Sequence, residues 1–95
     1  MEKIEKLRKQ IDDIDGRIAK LIDKRASVAA EIGNLKIENA SSIYDPLREA
    51  DILRRVALEA KTLSADDMQL IYRTILNTIR KYLELSLLGL LFIKH

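Results

Sequence analysis

Apolar residues recur along the first third of the chain in alternating steps of three and four: Ile4, Leu7, Ile11, Ile14, Ile18, Leu21, Val28, Ile32 and Leu35. That spacing is a heptad seam, the apolar edge of one long helix made to lie against other helices. It predicts a helix from about residue 3 to about residue 38, roughly 50 Å long at 1.5 Å per residue and too long to bury itself. Gly16 falls inside it at a cost of roughly 1 kcal/mol against alanine, and because the heptad runs through it unbroken no interruption is expected there. One seam position breaks the pattern. Seven residues after Ile18, where an apolar side chain belongs, stands Arg25.

Beyond the seam, Asn39-Ala40-Ser41-Ser42 reads as a loop, followed by Ile43 and Tyr44. Asp45 then Pro46 is a helix cap followed by a proline at the first helical position, so a second helix is expected from here to about Ala60. Its inward face is Ile52, Leu53, Val56 and Ala60. Ser64 with Asp67 three residues on resembles a capping box and opens a third helix, whose buried stripe is Met68, Ile71, Tyr72, Ile75, Leu76, Ile79 and Leu83. No segment has the two-residue period of a strand. The fold class is therefore all-α, a three-helix chain with one long N-terminal helix. From Leu83 to Ile93 the chain is apolar on all sides yet about half the length needed to cross a bilayer. No membrane span is expected; the segment reads as a continued helix or tail buried against a partner chain, with a membrane-surface contact or disorder as alternatives.

Composition narrows the chemistry. Residues 1–95 are read as one domain, and 47% hydrophobic residues suffice for a modest core, but a chain this short gains much by sharing a core, so oligomerisation is expected. The 17 basic and 15 acidic residues are mixed, with a net charge of +2; with one Phe and three Tyr besides, neither a basic tract nor stacking platforms suggest a nucleic-acid partner. The chain has no cysteine, which excludes disulfides and thiolate chemistry and suits a reducing compartment. Its one histidine, His95, is the last residue, so histidine triads and His-rich metal sites drop out, and neither metal nor cofactor is expected. The first residues are charged and lack the apolar core of a secretory signal, which points to the cytoplasm.

What remains is a set of charges. An arginine in a partly dry helical interface is costly unless it meets an anion. Either a small carboxylate ligand or a structural pairing with Asp51 or Glu49 would satisfy Arg25. Lys36 lies eleven residues further along the same helix, roughly 16 Å, close enough for two long side chains to converge on one ligand. Arg8 is about 25 Å from Arg25 in the other direction and can join the same site only from a second copy packed antiparallel. By pattern alone Arg8 and Lys36 are equally readable as solvated flank residues, Asp45 as a cap, Glu49 as an answer to the helix dipole, and Arg48 as surface charge or anion ligand.

Taken together these residues resemble the all-helical chorismate mutase family. Leu7-Arg8-Lys9-Gln10-Ile11-Asp12-Asp13-Ile14-Asp15 is similar to the family's opening "LRxxIdxID"; Asp23-Lys24-Arg25 with Val28-Ala29 to its "ekRxxlA"; Ile32-Gly33 with Lys36 to "IgxxK"; and Asp45-Pro46-Leu47-Arg48-Glu49 to "DpxRE". The resemblance spans residues 4 to 83, leaving 84–95 as an apolar helical tail. It implies an intertwined homodimer of three-helix chains that rearranges chorismate to prephenate without any cofactor. Carried over, Arg25 and the partner's Arg8 hold the two substrate carboxylates, and Lys36 donates to the ether oxygen of the breaking bond. Asp45 and Glu49 engage the ring hydroxyl, and Arg48 supports the charge network.

One stretch departs from the family pattern. Counted from Tyr72, Ile79 and Leu83 stand where the family usually places a Ser, Thr or Asn and a Gln or Glu, the latter a second donor to the ether oxygen. A shifted register would present Thr78 with Tyr82, or Arg80 with Glu84, in their place. Three further readings stay open: an isochorismate pyruvate lyase of the same fold, a non-catalytic helical dimerisation module in which Arg25 fixes register, and a mutase-like chain with a degraded site.

Overall fold

The computed structural model describes residues 1–94, with side chains through residue 87. Three helices follow in order: α1 (Glu2–Glu38), α2 (Pro46–Glu59) and α3 (Ala65–Lys94). Their start signals act as the sequence predicts. The Asp45 carboxylate accepts from the Arg48 backbone N–H at 3.0 Å and Pro46 opens α2; the Ser64 hydroxyl accepts from the Asp67 N–H at 3.0 Å. Gly16 leaves α1 continuous. At its far end the Ser41 N–H reaches back to the Lys36 carbonyl at 2.7 Å, with Ala40 turned into the left-handed region (φ 54°). These bonds satisfy carbonyls that the last helical turn would otherwise leave bare.

α3 is the centre of the chain, packing against both α1 and α2. Leu76, Ile79, Leu83 and Leu87 are buried along it, and Ala26, Ala29, Ala30 and Ile37 of α1 pack on the cluster with Ile43 and Ile75. Small residues on α1 let the two helices come close. Gly33 is the tightest point: a Cβ there would sit 3.0 Å from Leu87 Cδ1.

Two expectations are corrected. Ile71, placed by its spacing on the buried stripe of α3, is 49% exposed, since α3 buries only the narrower strip that faces α1 and α2. Leu87, in the segment read as facing a partner, is instead buried within its own chain against Gly33. That segment is helical as far as Lys94, but what the side chains of residues 88–95 do lies outside the described residues.

The N-terminal part of α1 has no such neighbours. Every residue from Met1 to Lys24 is exposed, and the seam residues Ile4, Leu7, Ile11, Ile14, Ile18 and Leu21 lie open along it. The molecule measures 60 × 27 × 15 Å, longer than its bundle because α1 projects from it.

Candidate active site

Arg25 and Lys36 on α1, the turn into α2, and the middle of α3 enclose a cleft of about 310 Å³. α1 adds Val28, Ala29, Ile32 and Gly33 as apolar floor; the second segment brings Ile43, Asp45, Arg48, Glu49 and Ile52; α3 brings Leu76, Ile79, Arg80 and Leu83. The candidate residues from the sequence therefore share one cavity, with the single exception of Arg8. Arg8 is exposed on the projecting part of α1, where among the described residues it pairs only with Glu5 one turn away, at 3.1 Å.

The charges in the cleft are unevenly matched. Asp45 is engaged as the α2 cap. Glu49 accepts a 2.6 Å hydrogen bond from Arg80 Nη1. Arg48 lies 3.6 Å from Asp51, whose carboxylate also holds Arg54 and, at 2.8 Å, Arg55. These arginines hold the Asp51 carboxyl below its ordinary value of 3.8, the hydrogen bond from Arg54 foremost. Arg25 and Lys36, both half-buried, have no ion pair among the described residues. The pairing of Arg25 with Asp51 or Glu49 is thus overturned: other arginines have taken both carboxylates. What steadies Arg25 is the face of Tyr72, 5.7 Å from its guanidinium carbon.

The register of α3 is also visible. Ile79 and Leu83 line the cleft as buried apolar wall, whereas Thr78, Tyr82 and Glu84 are exposed. Arg80 is the α3 side chain that brings charge into the cavity, where it pairs with Glu49 of α2, while Glu84 stays outside it. Sequence reading placed it only in a shifted register, because its partner is 31 residues away. Among the described residues no group of three or more His, Cys, Asp or Glu is gathered as a metal ion requires.

An all-helical fold whose largely apolar cleft carries two cations without an ion pair among the described residues is suited to a small anion. The family description chorismate mutase type II matches residues 7–84. The chorismate mutase of Methanocaldococcus jannaschii is 37% identical over 67 residues, covering 70% of this chain and 68% of that protein. The bifunctional chorismate mutase/prephenate dehydratase of Aquifex aeolicus is 39% identical over 56 residues, 59% of this chain but only 16% of that longer protein. The crystal structure of Helicobacter pylori chorismate mutase in complex with prephenate superposes with a TM-score of 0.81 at 33% identity, covering 92% of this chain and 96% of that one. The chain belongs to the chorismate mutase type II family.

Proposed function

We propose that the protein is a chorismate mutase that rearranges chorismate to prephenate in the cytoplasm as a homodimer. The observation that carries this reading is the pair Arg25 and Lys36, two cations sharing one largely apolar cleft with no ion pair among the described residues. Such a site is costly when empty and is relieved by a dianion. In the reaction the ether C–O bond breaks as a C–C bond forms within the same molecule, so no nucleophile, base or redox group is needed. Catalysis reduces to two tasks. The walls hold the flexible enolpyruvyl arm over the ring, lowering the entropic part of the barrier. Fixed positive charge meets the ether oxygen as negative charge builds there, an interaction worth about 3 kcal/mol per well-placed donor.

Within that reading Arg25 holds one carboxylate, and Lys36 donates to the ether oxygen. Asp45 and Glu49 engage the ring hydroxyl, and Arg48 supports the charge balance. Ile79 and Leu83 are apolar wall against the ring, so on this side of the cleft Lys36 faces the ether oxygen without an amide opposite it. The second carboxylate falls to the partner's Arg8. The exposed seam of α1 supports a second copy, since a row of open Ile and Leu on a heptad pattern is covered by another helix. An antiparallel partner carries its own Arg8 to the Arg25 end of this chain.

Direct measurement of prephenate formation tests the activity, and subunit mixing tests the shared site. Arg8→Gln and Arg25→Met dimers are each expected to be nearly inactive. Refolded together in equal amounts, half the dimers are mixed and each of those has one intact site, so about a quarter of the parent rate returns. Failure of the parent to form prephenate would reject the mutase reading, and failure of mixing to restore activity would reject Arg8 in trans.

A further inference from the structure

The Arg80 guanidinium ties together segments that lie far apart in sequence. Nη1 donates to Glu49 Oε2 at 2.6 Å, Nη2 donates to Asn77 Oδ1 at 2.9 Å one turn back on α3, and Cζ lies 4.4 Å from the centre of the Tyr44 ring. The pair is also unlike the other ion pairs among the described residues. Its side chains are 26% and 23% exposed, against 69% and 61% for Arg8–Glu5 and 74% and 65% for Arg17–Asp13. Those two are surface pairs along one helix, screened and of small consequence. Among the described residues, Arg80–Glu49 is the ion pair that joins two different helices.

Both partners line the cleft, and this placement has a chemical consequence. A bare Glu49 carboxylate would repel a dianion entering beside it and would be free to turn about its side-chain torsions. Arg80 cancels that charge and fixes one oxygen. Glu49 Oε1 takes no protein hydrogen bond among the described residues and so remains an acceptor, while Arg25 and Lys36 keep their charge for the ligand. The planar fork fixes its N–H donors and its flat face relative to one another, so the carboxylate, the amide oxygen and the ring are held in one geometry that a freely rotating ammonium does not impose.

We infer that Arg80 is a positioning residue of the mutase site, acting through Glu49: it neutralises and orients that carboxylate so that its second oxygen accepts from the substrate's ring hydroxyl. The inference rests on the mutase reading. A double-mutant cycle on the dimeric protein tests it, with kcat and KM for prephenate formation measured for the parent, Arg80→Gln, Glu49→Gln and the double variant. In the parent background Arg80→Gln is expected to lower kcat/KM about tenfold, and in the Glu49→Gln background less than about twofold, because the group it acts through is already gone. Circular dichroism and melting curves establish that each variant is folded, and Arg80→Lys, which keeps the charge without the fork, serves the same cycle if Arg80→Gln unfolds. Equal losses in both backgrounds would overturn the inference, since Arg80 would then touch the ligand itself or merely brace the fold. Unchanged kinetics would overturn it too. Absence of prephenate from the parent chain is read before any variant is made and would remove the mutase reading together with this role.

Discussion

Replacing Arg25 by methionine should separate catalysis from folding. The long stem and its packing survive in methionine, and only the charge with its donors is lost. In the ligand-free protein the contact given up is the one over Tyr72, 5.7 Å from the ring centre, worth about 0.5–1 kcal/mol. Against it stands relief of an unpaired cation beside Val28, Ala29 and Ile32, which line the same cleft. The two effects nearly offset, so the melting temperature is expected to move by less than about 5 °C. With substrate bound the balance differs: a carboxylate about 4 Å from a guanidinium gains about 4 kcal/mol at an effective dielectric near 20. If about 3 kcal/mol of that survives desolvation, kcat/KM falls by about two orders of magnitude. Initial rates of chorismate loss and prephenate appearance, with melting curves and sedimentation equilibrium on the same preparations, supply the comparison. A variant within tenfold of the parent in kcat/KM would refute Arg25 as a ligand cation. A variant that loses its rate only in step with its melting temperature or its dimer would assign Arg25 to structure.

Two further perturbations probe the surroundings. Because the arginines around Asp51 depress its pKa when the chain is folded, the stabilisation is complete above the unfolded aspartate value of about 3.9 and is lost as pH falls below it. Melting temperatures of the parent should therefore fall more steeply than those of Asp51→Asn from about pH 4 downwards, and identical slopes would remove this linkage. Leu83→Gln puts an amide where exposure is 6%, at a cost of about 1–3 kcal/mol. Its melting temperature should drop and its turnover should not exceed the parent's; faster turnover would show that this position is a vacant donor slot rather than wall.

How much of this was legible beforehand depended on whether the signal was local. Asp45-Pro46 and Ser64 with Asp67 announce helix starts because capping is satisfied within four residues. Arg25 stood out as an interruption of a periodic pattern, and the cleft does form around it. Lys36, Asp45, Arg48 and Glu49 were found through the family motifs, since their positions in helix 1 and helix 2 follow from spacing alone. Arg80 enters the sequence reading only beside Glu84 in a shifted register, never as a partner of Glu49. Its pairing with Glu49 depends on how α3 docks against α2, which no local pattern encodes. The docking itself left a trace in Gly33, whose missing side chain makes room for Leu87. In the sequence that glycine reads only as part of a motif, so Leu87 reads as facing a partner. Ile71 was misplaced for the opposite reason: helical periodicity marks a broad apolar stripe, while the neighbour it packs against covers only part of it.

From Met1 to Lys24 the first helix is a rod of about 35 Å with every side chain exposed in the single chain. In the proposed dimer that rod would gain its neighbours only on encounter, which would make formation of the working enzyme a second-order event. Refolding should quicken in proportion to protein concentration, and dilution towards the dissociation constant should dismantle the rod and silence both catalytic centres together. Under that proposal the amount of protein in a cell would govern the fraction of chains at work as well as their number.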